Sequence, residues 1–312
     1  MTSLFWLFAL VAPLACSSSP GAETDAGADA PAANAQDIFW TAFAAGDTAS
    51  GAADIPALES LAAGSEGQPD WYSTLLVGMD ATWQLAEIGR DPSHAAQTGA
   101  TYGPIAGQYL GQAHGMNPSD NFTTALTGFT LWNAGTQTQN PQQAQQGKAL
   151  VDQAYAAQPE LGWFLELIIA QFSPVADPQM QTAIDAGWKY FSICGGTTLD
   201  PNAPDFSAYL AQATTSTRRF CVNSTIAPHM VQGGLLYFGD LLVKAGSVAA
   251  AKTAYGAAQA SKDYAAWPHK DVVDARATAD LAARAAAYQG DPSTWPAFAA
   301  SPYVCGTCHN TK

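Results

Sequence analysis

Basic residues are scarce in this chain. Only 12 of its 312 residues are Lys or Arg, against 26 Asp or Glu, which gives a net charge of -14, and no basic residue precedes Arg90. Such a chain repels the phosphate backbone of nucleic acids. We therefore exclude nucleic-acid binding as its function.

Long hydrophobic runs are also missing, apart from residues 4–14, which are almost wholly apolar. This run is shorter than the ~20 residues needed to span a bilayer as a helix. It ends in Ala15 just before Cys16 and so resembles a bacterial lipoprotein signal, although the usual basic start is missing and Pro13 replaces the usual Leu. The resemblance implies a signal peptide at residues 1–15 and a lipid on Cys16. An ordinary secretory signal and a buried N-terminal helix are the alternatives.

Bulky apolar side chains are absent from residues 17–35, which are nearly all Ser, Pro, Gly, Ala, Asp and Glu. A segment of this composition cannot build a core and is typical of a flexible linker. We predict a disordered tether at residues 16–36, a folded domain at 37–300 and a short attachment segment at 301–312.

Strand patterns and catalytic motifs are missing as well. The chain has almost no alternating β-branched runs, and it contains no nucleophile elbow, phosphate loop, dinucleotide fingerprint or metalloprotease helix. Apolar residues instead recur at helical spacing, which predicts an all-α fold. Two such core-facing stripes are Leu76, Met79 and Trp83, in a helix from about residue 70 to 88, and Met180, Ile184, Trp188 and Phe191.

One segment resembles a tetratricopeptide repeat, through Gly239, Leu242, Gly246, Ala251, Tyr255 and Ala258. Small residues at the crossing allow two antiparallel helices to approach closely. The resemblance implies a helical-repeat scaffold, and an irregular helical bundle is the alternative. A weaker match runs from Leu131 and Gly135 through Ala154 to Pro159, where we expect the first helix to be too short for the repeat.

Only five cysteines occur in the chain. Cys194 and Cys221 enclose a polar loop, and in an oxidising compartment we expect them to form a disulfide. On the chain-entropy model it contributes about 3 to 4 kcal/mol. Two separately buried thiols are the alternative, because Phe191 and Phe220 flank the pair.

The remaining pair, Cys305 and Cys308, is followed by His309 and so has the C-x-x-C-H spacing of c-type haem attachment. Two thiols on one turn reach the two vinyl groups of a porphyrin, and the adjacent His binds the iron. The motif resembles that of c-type cytochromes, which implies one covalent haem c. A redox disulfide with an incidental His and a zinc half-site are the alternatives.

The second axial ligand of the iron is expected upstream, because three residues follow His309. Two places hold both a His and a Met, namely His229 with Met230 and His114 with Met116. We favour His229, which follows Pro228 and the expected disulfide. An iron with an open sixth position is the alternative. His269 is expected to cap or contact a haem propionate at the start of one helix that carries both Arg276 and Arg284.

The sequence thus predicts an exported, membrane-tethered monohaem cytochrome that transfers single electrons in the bacterial envelope. Its expected partners are envelope redox proteins and, through the lipid, a membrane of the periplasm or outer surface. We name no catalytic residue and regard an electron-transfer role as better supported than an enzymatic one. The alternatives are a helical-repeat binding module with haem as a structural clip or redox sensor, and a five-coordinate gas-binding protein or haem enzyme.

Overall fold

The computed structural model describes residues 35–64, 68–89, 92–212, 221 and 227–298. In these ranges all regular elements are helices, so the all-α prediction is confirmed. The positions of Cys16, Cys305, Cys308 and His309 lie outside the described residues. The helices are α1 (Ala35–Ala44), α2 (Thr48–Ala62), α3 (Trp71–Ala86), α4 (Ala95–Met116), α5 (Asn121–Gln137), α6 (Pro141–Ala157), α7 (Pro159–Phe172), α8 (Pro178–Gly195), α9 (Ser207–Gln212), α10 (Met230–Lys244), α11 (Val248–Ala260), α12 (Lys270–Thr278) and α13 (Leu281–Ala287).

Aspartates begin several of these helices and account for part of the acidic excess. The Asp70 carboxylate accepts a hydrogen bond from Ser73 N at 2.6 Å, and that of Asp120 accepts one from Thr123 N at 2.7 Å. Asp47, Asp177 and Asp280 cap α2, α8 and α13 in the same way. Each cap satisfies a backbone N–H that has no partner inside its helix, and its charge complements the helix dipole.

Consecutive helices pack as antiparallel hairpins, of which α3–α4, α5–α6, α7–α8 and α10–α11 have the most extensive contacts. In the predicted repeat, a Cβ on Gly239 would lie 2.3 Å from Tyr255 Cε1, so the close crossing of α10 and α11 requires a glycine. The expectation of a short first helix in the weaker match is wrong. Helix α5 has 17 residues, and it packs closely on α6 because Gly128 and Gly147 meet at their crossing.

Helices α7 and α10 run side by side in the same direction through the core. Near their starts Trp163 lies against Gly234, and at their ends Lys244 donates to the carbonyl of Ala170 at 3.0 Å. The fold therefore has a Lys244 end, where α7 and α10 finish, and a His229 end, where α10 starts.

Candidate functional site

A group of charged side chains holds the last described residues of the chain against α10. We call Asp240, Lys244, Arg276 and Arg284 the C-terminal anchor. At its centre is the fully buried Asp240 carboxylate, which accepts hydrogen bonds from Tyr255 Oη at 2.7 Å and Arg276 Nε at 2.9 Å. The Arg284 guanidinium is 4.0 Å from the same carboxylate. Burial opposes the charge of Arg276, but Asp240 outweighs this effect and raises its pKa.

The two arginines of the anchor also bind the chain that follows α13. Both donate to the carbonyl oxygen of Ala297, Arg276 at 3.3 Å, while Tyr288 Oη donates to that of Pro296 at 2.9 Å. Our placement of Arg276 and Arg284 on one helix is wrong, because α12 ends at Thr278 and α13 starts at Leu281. The break between the helices lets both side chains converge on Asp240 and Ala297.

Lys244, the last residue of α10, is the fourth charged residue of the anchor. Its buried ammonium donates to the carbonyls of Ala170, Gln171 and Ser173 at 3.0, 2.7 and 2.7 Å, and lies 3.9 Å from the ring centre of Trp295. Three acceptors match the three donors of a charged lysine, and the face of Trp is the preferred aromatic partner of a cation. Burial lowers the pKa of Lys244 to about 7. The charge therefore depends on these partners.

The anchor gives the predicted haem segment a fixed starting point at the Lys244 end. Cys305 follows Phe298, the last described residue, by seven positions. A fully extended chain covers at most about 3.3 to 3.6 Å per residue, so Cys305 lies within about 25 Å of Phe298.

The first predicted ligand pair lies at the opposite end of α10. His229 immediately precedes this helix and is 8% exposed, and the half-buried Met230 is its first residue and packs on Ala227. From there to Lys244 the helix is about 22 Å long at 1.5 Å per residue. It is buried from Gln232 to Lys244. His229 and Met230 therefore lie about one helix length from Lys244.

The second predicted pair lies at the end of α4. His114 lies in the last turn of α4, where its Nδ1 atom is 3.3 Å from Thr124 Oγ1, and Met116 is the last residue of that helix and is 40% exposed. Helix α4 packs against α3 and α5, whereas α10 packs against α7, α8, α11 and α13. The two predicted pairs thus belong to separate parts of the helical stack.

A disulfide joins Cys194, in the last turn of α8, to Cys221, with the two Cα atoms 5.3 Å apart. Tyr190 Oη donates to the carbonyl of Cys221 at 3.1 Å, and the Tyr190 ring stacks on Trp163. This link fastens the loop that precedes α10 to the aromatic core.

A cavity of about 460 Å³ adjoins the anchor at the Lys244 end. It lies between the α7–α8 turn and the α10–α11 turn, where it is lined by Val175 and by Ala245, the residue next to Lys244. The cavity is also lined by Ile184, Trp188 and Met180 and by the polar or charged residues Asp177, Gln181, Asp185, Asn202 and Ser247. Its volume is in the range of small-molecule pockets, and most of its lining is polar.

The buried charged residues were not predicted from the sequence, although α10 contains one signal for them. Asp240 and Lys244, four positions apart, are the two charged residues of an otherwise apolar helix. Two further buried carboxyls are on α3 and α7. Asp80 accepts from Gln84 Nε2 at 3.2 Å, and Glu166 lies 3.2 Å from Lys148 Nζ. Burial raises the pKa of both carboxyls, that of Asp80 to about 7.

The described part of the chain contains no cluster of three His, Cys, Asp or Glu side chains that fits a metal ion. Over the same residues, no helix has the length and apolar character needed to cross a bilayer. Comparisons with family models, curated proteins and solved structures gave no match to this chain.

Proposed function

We propose that this protein is an exported monohaem c-type cytochrome that transfers single electrons in the bacterial cell envelope. The observation that carries the proposal is the motif at residues 305–309, whose Cys305 and Cys308 would bind one haem covalently and whose His309 would bind its iron. The C-terminal anchor supports it, because a cofactor on a short segment needs a rigid base to keep a defined position.

The haem would supply a centre that alternates between ferrous and ferric states, with one electron exchanged in each step. The protein would hold the chain that leads to the attachment segment through Lys244 and the two arginines bound to Ala297. Its net charge of -14 favours a redox partner with a basic docking surface.

The test is to express the full chain in a bacterium with active cytochrome c maturation and stain a denaturing gel for haem. A stained band at the mass of the protein is expected, and it should disappear in the Cys305→Ser, Cys308→Ser double variant. No band from the wild type would refute the proposal. Absorption spectra with and without carbon monoxide then separate electron transfer from gas binding, because an electron-transfer haem with two axial ligands binds the gas poorly.

Export and membrane attachment are tested separately through Cys16. In the lipoprotein proposal, Cys16→Ser removes the lipid acceptor and should move the protein from the membrane to the soluble fraction. A variant that stays in the membrane fraction would contradict the lipid anchor without affecting the haem assignment.

A further inference from the structure

We propose that the groove between α1 and α2 binds an aliphatic diamine, whose two ammonium groups pair with Asp37 and Asp54 while its methylene chain lies on the apolar base of the groove. This inference goes beyond the proposed electron-transfer function and does not depend on the haem.

The first argument is the shape and lining of the groove, which has a volume of about 460 Å³. This volume is in the range of small-molecule sites. The groove is lined by the apolar residues Ile38, Ala42 and Ala45 and by the polar residues Asp37, Thr41, Asp47, Ser50 and Asp54. Ala42 is buried and Ile38 packs against the core, whereas Asp37, Thr41 and Ser50 are exposed. The groove therefore has an apolar base and an acidic rim.

The second argument is the placement of two carboxylates on opposite walls. Helix α1 has 10 residues and α2 has 15, and the short turn between them makes the two helices antiparallel. Asp37, in the first turn of α1, therefore lies opposite the middle of α2, where Asp54 is located. Packed helix axes are about 8 to 10 Å apart. Carboxylates on two such walls are matched by two separate positive charges joined by a spacer.

A single compact ion fits this arrangement less well. In the described ranges, no three His, Cys, Asp or Glu side chains come together in a way that fits a metal ion. An alkyl spacer, in contrast, both separates the two charges and buries its methylene groups against Ile38 and Ala42. Burial of each methylene group contributes about 0.8 kcal/mol.

The third argument is the repulsion between the carboxyl groups around Asp54. Burial and then the charge of Asp47 raise the pKa of Asp54, so its ionised form is disfavoured. The fully buried Asp80 lies behind the same wall, because a Cβ on Gly51 of α2 would be 3.1 Å from Asp80 Oδ1. Asp80 Oδ2 has no hydrogen-bond partner in the described structure, and the charge of Asp54 adds to the effect of burial on its pKa. An ammonium group beside Asp54 would offset this repulsion.

The sequence around the groove supplies few positive charges of its own. Helices α1 to α5 contain the carboxyl groups of Asp37, Asp54, Glu59 and Asp80 but no Lys or Arg. The negative field of these helices attracts cations from solution. A cationic ligand is therefore favoured over a neutral or anionic one.

The experiment is isothermal titration calorimetry of 1,4-diaminobutane into the full-length protein. Saturable binding of one ligand per chain is expected. Butylamine has one ammonium group and should bind at least about tenfold more weakly, and the uncharged 1,4-butanediol should give no measurable heat. Asp37→Asn and Asp54→Asn each remove one ion pair and should lower the affinity about tenfold, which corresponds to about 1.4 kcal/mol.

Asp185→Asn is the matched control, because Asp185 lines the other cavity, at the Lys244 end. This variant should keep the wild-type affinity. An equal loss of affinity in this variant, or equal binding of butylamine and the diamine, would show attraction by the net charge of -14 alone and would overturn the proposal. The absence of saturable binding would overturn it as well.

The exposed Asp37 makes the test independent of folding defects at Asp54. If Asp54→Asn has a lower melting temperature than the wild type, Asp37→Asn decides the outcome. Wild-type affinity in a normally folded Asp37→Asn variant would contradict the proposal.

Discussion

Asp80 should contribute more to the stability of this protein at pH 5 than at pH 8. The carboxyl is fully buried on α3, where one oxygen accepts from Gln84 and the other has no hydrogen-bond partner in the described structure. Burial, followed by the nearby charge of Asp54, raises its pKa from 3.8 to about 7, against the favourable effect of Gln84. The folded state therefore holds a proton that the unfolded chain releases near pH 4.

The magnitude follows from linkage between proton binding and folding. A folded-state pKa above the unfolded one gives stability that is complete below pH 4 and is lost as the pH rises through 7. Between pH 5 and pH 8 this loss is on the order of 2 to 3 kcal/mol, since one pKa unit corresponds to about 1.4 kcal/mol. An amide at this position cannot titrate, so the stability of Asp80→Asn should lack this pH dependence. The stability of the variant relative to the wild type should therefore be highest at pH 8.

The assay is urea unfolding of both proteins at pH 5 and pH 8, followed by tryptophan fluorescence. The stability difference between variant and wild type should change by about 2 to 3 kcal/mol between the two pH values. Effects of the substitution on packing do not depend on pH and cancel in this comparison. Asp263→Asn replaces an exposed carboxyl and is the control. Parallel profiles for Asp80→Asn and wild type would refute the reasoning, because Asp80 would then be charged in the folded protein.

Three further predictions concern the C-terminal anchor and the disulfide. Asp240→Asn leaves two arginines facing a neutral group and should lower the free energy of unfolding by about 3 to 5 kcal/mol in a denaturant titration, whereas the exposed Asp271→Asn should change it by less than about 1 kcal/mol. Replacing both Cys194 and Cys221 by Ser should lower the free energy of unfolding by about 3 to 4 kcal/mol. A reductant should then have no further effect on the melting temperature of the variant. Equal melting temperatures for the oxidised wild type and the variant would contradict this prediction. Lys244→Met removes the cation beneath Trp295 and should speed proteolytic cleavage of residues 289–298 at least tenfold, and an unchanged cleavage rate would show that Lys244 does not hold this segment.

The helices could be predicted from the sequence where apolar spacing and capping residues agree. The predicted stripe of Met180, Ile184, Trp188 and Phe191 is buried on α8, and that of Leu76, Met79 and Trp83 is buried on α3. Prolines were less informative about helix ends, because Pro56 lies inside α2 and Pro104 inside α4. Tertiary packing keeps these helices continuous despite the lost hydrogen bond.

The candidate site was only partly predictable. The haem motif is readable because its chemistry fixes the residue spacing, whereas the C-terminal anchor joins Asp240 to Arg276 and Arg284 through contacts that no local pattern encodes. Ranking axial ligands by nearness to a proline and a disulfide favoured His229. That ranking stays a prediction, because Cys305 and His309 lie outside the described residues.

The anchor also has a consequence for the order of folding. Each helical hairpin forms between segments that are close in sequence, but Lys244 reaches carbonyls 71 to 74 positions earlier in the chain. Contacts of such separation require the intervening chain to be ordered first, because closing a long flexible loop is entropically costly. We therefore expect the hairpins to assemble before the anchor closes. The segment that leads to Cys305 would then gain its fixed starting point only in the last step of folding.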